Sequence, residues 1–257
     1  MTDAYDFAVR LAREAGEILL DYYHQPDTNP AYKPDQTLLT AADLAADRFI
    51  AERIRSVFPG DHILSEEMDT TFPGDARPTW VVDPLDGTAN FSQRIHYWGV
   101  SIARLVGGIP EVAALSFPAI NEHFAARRGS GAILNGEPLR TLPVQAHPAA
   151  FFTCDSRLHR KYTVKLKYKP RILGSAAYNF CAVARGAALV GFESIPKVWD
   201  IAASWLVLAE AGGAGECVGE PLFPLKPGAD YSVLKYPMLG AVNAEVLAES
   251  KGLIILK

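Results

Sequence analysis

Apolar residues recur at helical spacing at the start of the chain. Ala4, Phe7, Leu11, Ile18 and Tyr22 follow Asp3, which is placed to cap a first helix. "HQPDTNPAYKPDQT" (24–37) carries three prolines and predicts a loop. A second helix is predicted from near Thr40, with Ala45, Phe49, Ile50, Ile54, Val57 and Phe58 on one side and "FPGD" at its end. The period then changes. "TWVVD", "YWGVSIARLV", "IPEVAALSF" and "EHFAARR" are short, β-branched or alternating, and broken by Gly, Pro or Asn, which predicts a largely antiparallel sheet.

The second half alternates. "AAFFTCD" and "RIL" predict strands, "SAAYNFCAVARG" a helix closed by Gly186, "AALVGF" a strand, and "DIAASWLVLAEAGG" a helix that again ends in glycine. "MLGAVN" and "AEVLAESKG" repeat the strand–helix order. A helix pair with a sheet, then mixed α/β, predicts a layered fold with two sub-domains, 1–145 and 146–257, joined near residues 139–148.

Composition narrows the function classes. With 257 residues, 49% of them hydrophobic, the chain can bury a sizeable core. Its net charge of −4 comes without a basic run, which argues against a nucleic-acid surface. "MTDAYDFAVR" lacks the basic and apolar regions of a signal peptide, and the longest apolar stretch, 201–208, is too short to span a bilayer. Cys154, Cys181 and Cys217 are widely spaced with no C-x-x-C, so reduced thiols and a cytoplasmic location are expected.

The candidate chemistry lies in "WVVDPLDGTANF" (80–91), where two aspartates sit three apart after an apolar run. Like charges that close repel and raise each other's pKa, so a cation between them is expected. Val81 and Val82 place Asp83 at the carboxyl end of a strand; Pro84 fixes φ, and Gly87 permits a turn that aims Asp83 and Asp86 at one point. Hard oxygen donors there, with the Leu85 carbonyl, suit Mg²⁺. Gly87, Thr88 and Ala89 would open a helix whose amides face an anion. The bland alternative, an acidic turn with Asp86 in an Asx-turn, fits D-x-x-D alone; the whole string D-P-L-D-G-T favours metal and phosphate. A D-x-D-G-T phosphatase of the haloacid-dehalogenase type is excluded, because Pro84 occupies the nucleophile position and cannot attack phosphorus.

Other acids remain open on local evidence. Glu66 in "ILSEEMD" either joins the metals from a neighbouring strand end or belongs to a surface pair with Glu67. Asp200 in "KVWDIAAS" either binds metal or caps a helix. Asp43 either completes a capping box with Thr40 or orients a threonine hydroxyl. Gly174 and Ser175 in "LGSAA" offer amides to a ligand or simply cap a helix. The six histidines show no paired spacing, and Gly129-Ser130-Gly131 reads as a turn.

Together these segments resemble the inositol monophosphatase family of Mg²⁺-dependent, lithium-sensitive phosphatases. "KPDQTLLTAAD" is similar to its mobile loop and threonine–aspartate segment; "SEE", "WVVDPLDGTANF" and "VWDIAAS" to its metal motifs; "GSAA" and "GFESIPKVWD" to its substrate segments. The resemblance implies an αβαβα sandwich, usually a homodimer, with two or three Mg²⁺. It implies Glu66, Asp83 and the Leu85 carbonyl at the first metal, Asp83, Asp86 and Asp200 at the second, and a third metal near Glu66. It makes Thr88, oriented by Asp43, the group that helps activate water, and makes the Gly87 and Thr88 amides the phosphate holders. Gly174, Ser175, Ala176, Glu193 and Asp200 would face the alcohol. The chain departs at Thr37, Ser65 and Ser204, where aspartate, glycine and glycine are common, and in a shortened segment between Asp155 and Arg171. The expected activity is hydrolysis of a small polyol or sugar phosphate, with inositol 1-phosphate as default. The alternatives are a fructose-1,6-bisphosphatase, a 3′-phosphoadenosine-type nucleotide phosphatase, or a regulatory binding protein without chemistry.

Overall fold

The computed structural model describes residues 2–25, 30–32, 38–141 and 150–257. Thr37 and residues 142–148 of the expected join lie outside them. Asp3 accepts the Tyr5 amide at 2.7 Å and starts α1 (Ala4–Tyr23). Two short strands, β1 (Ala31–Tyr32) and β2 (Leu38–Leu39), pair antiparallel. Thr40 caps α2 (Ala41–Val57), and α1 and α2 pack together on one face of a seven-stranded sheet.

That sheet runs in order β3 (His62–Ser65), β4 (Thr79–Asp86), β5 (Gly99–Val106), β6 (Ile109–Phe117), β7 (Glu122–Arg127), β8 (Gly131–Leu134) and β9 (Glu137–Leu139). Only β3–β4 is parallel; the rest is antiparallel, as the alternating patterns predict. A one-turn helix, α3 (Thr88–Ser92), follows β4.

A second sheet has the order β12 (Lys169–Arg171), β10 (Phe151–Cys154), β13 (Val190–Glu193), β15 (Met238–Ala241), β14 (Ala214–Cys217). Between the sheets lie α5 (Ala176–Ala184) and α6 (Val198–Glu210), whose mean hydropathies suit burial on several sides; α6 packs on β4 to β8 and on β14. α7 (Ala244–Lys251) covers the far side of the second sheet. The shortened segment forms α4 (Leu158–Lys161) and β11 (Tyr162–Val164), which pairs with the C-terminal β16 (Ile254–Leu256). The layers are therefore α1/α2, sheet, α5/α6, sheet, α7.

Two apolar clusters sit on opposite faces of the first sheet. Trp80, Val82 and Leu85 join α1 and α2, whereas Val81 joins the side of α5 and α6. Residues 80 and 82 share a face because a strand alternates with period two. Leu85 shares it too, so the phase slips by one residue after Asp83.

The helix faces differ from expectation. In α2 the buried stripe is Ala42, Asp43, Ala46, Asp47, Ile50, Ala51 and Ile54, while Val57 is exposed and Ala45 and Phe49 are half-buried. Apolar side chains alone pointed to the wrong edge of the stripe, because two aspartates occupy its centre.

Candidate active site

The phase slip in β4 has a local cause. Asp83 pairs with Ser101 and Asp86 with Gly99, so three steps on β4 face two on β5. This is a β-bulge, which accommodates Pro84 inside a ladder where its missing N–H would otherwise leave a gap. In a straight strand, residues three apart face opposite sides. The bulge turns Asp83 and Asp86 to the same side, toward α5 and α6. The expectation that a turn after Val82 aims the two acids is corrected accordingly: the strand continues through Asp86. Only then does Gly87, at φ +87°, turn the chain into α3.

Asp83 and Asp86 are buried. Asp83 Oδ1 accepts the Leu85 amide at 3.0 Å. Asp86 accepts the Ser175 hydroxyl, the Ala176 amide at 3.2 Å and the Ala177 amide at 2.9 Å. Its carboxylate therefore sits on the N-terminal turn of α5, where the helix dipole favours negative charge. Ser175 is also the N-cap of α5, accepting the Tyr178 amide at 3.1 Å. Plain capping is realised, and the Ser175 hydroxyl also donates to Asp86.

Asp200 occupies the third position of α6 and accepts the Lys197 amide at 2.8 Å. It is thus not the N-cap, as its simplest structural reading had it; Lys197 is. Glu66 follows β3, and its own amide donates to the Val82 carbonyl at 3.2 Å, continuing the parallel pairing beside Asp83.

The four acids feel one another. Burial raises the Asp83 carboxyl well above the usual carboxylate range, and the charges of Glu66, Asp86 and Asp200 push the same way. Burial also lifts Asp86, to about 6, with the Ser175 hydroxyl and the two α5 amides opposing it. Asp200 is raised well above its ordinary value by burial, then by Asp86 and Glu66, against the Lys197 amide and charge.

Asp43 carries two tasks on two oxygens. Oδ2 accepts the Thr40 amide at 2.7 Å and hydroxyl at 2.6 Å, which closes the capping box of α2. Oδ1 lies 3.2 Å from the Thr88 hydroxyl, which is also 3.0 Å from the Leu85 carbonyl. Among the described residues, the Gly87 and Thr88 amides donate to no backbone carbonyl in turns, loops or caps.

Glu193 ends β13, buried, with the Asn179 side-chain amide donating to it. Burial raises its carboxyl well above the ordinary range, followed by the charge of Asp155 and, more weakly, of Asp86 and Asp200. Gly174 stands at φ +81° before Ser175, and its carbonyl lies 3.4 Å from where a Gly87 Cβ would be. The structure thus gathers Asp43, Glu66, Asp83, Leu85, Asp86, Gly87, Thr88, Gly174, Ser175, Ala176 and Asp200 around the ends of β3, β4, α5 and α6, with Glu193 within electrostatic reach. The Ala176 amide is taken by Asp86.

Mg²⁺ fits this donor set. Its side-chain groups are all carboxylates, and among the described residues no basic side chain forms an ion pair with Asp83 or Asp86. Two buried like charges without such a partner are costly unless a cation joins them. No three acidic, histidine or cysteine groups among the described residues are drawn into a ready-made cage. Asp86 and Asp200 are each held by local amides, and Mg²⁺ characteristically keeps several waters beside one or two carboxylates.

Sequence reasoning missed Asp47 and Asn179. Asp47 lies one turn after Asp43, buried, and accepts the Ser65 hydroxyl beside Glu66. Its i, i+4 spacing from Asp43 on a helix was the available signal.

Comparison with known proteins agrees with this arrangement. The inositol monophosphatase family matches residues 1–246. A histidinol-phosphatase of Chlorobaculum parvum is 32% identical over 233 residues, covering 83% of this chain and 85% of that protein. The Nus factor SuhB of Escherichia coli K12 is 36% identical over 220 residues, covering 81% and 82%. The solved structure of a Thermotoga maritima IMPase superposes with a TM-score of 0.80 at 26% identity, covering 98% of both chains.

Proposed function

The chain belongs to the inositol monophosphatase family, and from that premise we propose that it hydrolyses the phosphate monoester of a small polyol or sugar in a Mg²⁺-dependent reaction, with inositol 1-phosphate as the reference substrate. The observation that carries this reading is the bulge at Pro84–Leu85, which turns Asp83 and Asp86 to the side where Asp200 and Glu66 also lie.

Glu66, Asp83, the Leu85 carbonyl, Asp86 and Asp200 would hold the metal. Bound Mg²⁺ supplies Lewis-acid polarisation of phosphoryl oxygens, a more acidic water and charge neutralisation of the leaving alcohol. Gly87 and Thr88 amides would orient the phosphate, which the short turn at the N-terminus of α3 presents. The Thr88 hydroxyl has one proton and two acceptors in reach, the Leu85 carbonyl and Asp43. When it donates to Asp43, its lone pairs are free to accept from water and so direct a water lone pair at phosphorus. Asp43, buried and tied to Thr40, keeps that orientation fixed. Pro84 occupies the position where the nucleophilic aspartate of a D-x-D-G-T phosphatase would stand, so direct attack by water is the consistent route. Glu193, held by Asn179, would accept or share a hydrogen bond with a hydroxyl of the alcohol.

The test is a panel of phosphate esters assayed with and without Mg²⁺: inositol 1-phosphate, histidinol phosphate, fructose 1,6-bisphosphate and 3′-phosphoadenosine 5′-phosphate. Mg²⁺-dependent release of phosphate from at least one monoester is expected, with inositol 1-phosphate among the best. Preference for another member reassigns the substrate. Absence of turnover across the panel would overturn the enzymatic reading in favour of a binding role.

A further inference from the structure

Asn90 follows the Asp83–Thr88 string, yet none of the metal or substrate assignments uses it. It lies in α3, 8% exposed. Its side-chain nitrogen donates to two backbone carbonyls, those of Tyr97 and Leu173, each at 2.7 Å. An amide NH₂ has two hydrogens, so both are committed.

The second carbonyl is the informative one. Leu173 immediately precedes Gly174 and Ser175. A methyl at Gly174 would fall 2.6, 2.8 and 3.0 Å from the oxygen, nitrogen and carbon of the Asn90 amide. The backbone therefore rests directly on that side chain. On the other side, a Cβ at Gly87 would meet the Tyr97 carbonyl at 2.8 Å. Segments 87–90, 97–98 and 173–175 meet with no room for another heavy atom.

The same segment is held two to four residues on by Asp86, through the Ser175 hydroxyl and the Ala176 and Ala177 amides. Asn90 and Asp86 thus grip the two ends of one short stretch that starts α5. Where Leu173 sits decides whether Ser175 and the α5 amides meet Asp86, and hence where Asp86 points.

We infer that Asn90 is a positioning residue: by donating to the Leu173 and Tyr97 carbonyls it sets segment 173–177 against Asp86 and so fixes the orientation of that carboxylate in the acidic cluster. It touches neither metal nor substrate. The inference rests on the Mg²⁺ phosphatase reading, but its test does not need turnover. A plain packing role would lower stability and nothing else.

The experiment uses the full chain with Asn90→Asp, which keeps the shape and removes both donors, and Asn90→Ala. Mg²⁺ affinity is measured by titration calorimetry, and inorganic phosphate affinity in its presence, at a temperature where each variant is folded by circular dichroism. kcat and KM on inositol 1-phosphate are measured alongside. Loss of a residue that orients a ligand typically weakens metal binding about 10- to 100-fold, and a loss in that range is expected in both variants. Ile50→Val, in the core beneath α2, is the control for stability alone and should bind Mg²⁺ as the parent protein does. If the Asn90 variants do not fold, Gly174→Ala pushes the same segment off the amide from the other side and should show the same loss. Parental Mg²⁺ and phosphate affinity in the folded variants would overturn the inference. If the parent protein turns over no ester but still loses Mg²⁺ affinity with Asn90→Asp, the positioning role stands and the phosphatase reading falls.

Discussion

Each aspartate of the cluster is held by a local hydrogen bond and would also serve the proposed chemistry, so single substitutions separate the two. Asp86→Asn removes a buried charge but keeps one acceptor oxygen, which in the place of Oδ2 still accepts the Ser175 hydroxyl and the Ala177 amide while the bond from the Ala176 amide is lost. In the absence of metal, its melting temperature should match or exceed that of the parent, because the cost of the buried charge is gone. Its Mg²⁺-induced rise in melting temperature should vanish, and activity with it. Scanning calorimetry with chelator and with Mg²⁺ checks both; a parental Mg²⁺ shift would remove Asp86 from the metal set. Asp43 and Thr88 form a second separable pair. If Asp43 only closes the capping box, Asp43→Asn costs about 1 kcal/mol of stability and leaves the rate near normal. If it orients Thr88, each single variant loses about 10²-fold or more in kcat, and the double variant with Thr88→Ala loses little beyond that. Steady-state kinetics on all three variants decides, and additive losses would mean separate tasks.

Elements place these residues through features that apolar spacing does not display. α2 turns a face bearing Asp43 and Asp47 into the protein, one turn apart. Asp43 reaches Thr88, and Asp47 accepts the Ser65 hydroxyl at the end of β3, next to Glu66. A helix that carries two buried acids can do so only where each finds donors. Loss of one hydrogen bond to a buried charged group costs about 1.5–3 kcal/mol. Ser65→Ala should therefore destabilise the protein by that amount in urea unfolding. Equal stability of Ser65→Ala and the parent would show that Asp47 is satisfied by other donors. The bulge in β4 is the corresponding device in the sheet: one extra residue reverses the facing of Asp86 without breaking the ladder.

Across the whole molecule, two sheets and the α5/α6 layer bring buried Asp83 and Asp86 beside half-buried Glu66 and Asp200, which sets a pH dependence. The native pKa values of Asp83, Asp86 and Asp200 are raised by burial first. A native acid with a raised pKa holds its proton where the unfolded chain releases it. Its contribution is fully present below the unfolded value near 3.8 and is lost as pH rises through the native value, about 6 for Asp86. For Asp86 alone the loss amounts to about 3 kcal/mol. Mg²⁺ binds the deprotonated groups and so opposes the loss. Melting temperatures measured from about pH 5 to about pH 8 should show a Mg²⁺-induced gain that is small at the acid end and grows with pH. A gain independent of pH would mean that the cluster does not bind the ion. No helix among the described residues is long and apolar enough to cross a membrane.

The order of elements was legible from sequence because periodicity is a local property. α1, α2, β4 to β7, α5, β13, α6, β15 and α7 each carry their own signal in ten or twenty residues. The candidate residues were legible for a related reason: acids, a proline and a glycine at fixed spacing in 83–88 restrict what the backbone and a ligand can do locally, and the resemblance to a known family added Glu193 and gave Asp200, open on local reading, an expected role. Tertiary structure decided the rest. The partners of Asp86 come from residues 175–177, about 90 positions away, and Asn90 closes on Leu173, 83 positions away. Nothing within a local window encodes those meetings. Nor does periodicity tell which side of α2 is buried when the buried side carries two aspartates, because a polar residue inside is stabilised only by donors that other elements bring. The phase of β4 was hidden for the same reason: a bulge is defined by the pairing of two strands, and Asp83 and Asp86 share a face only once β5 lies beside them.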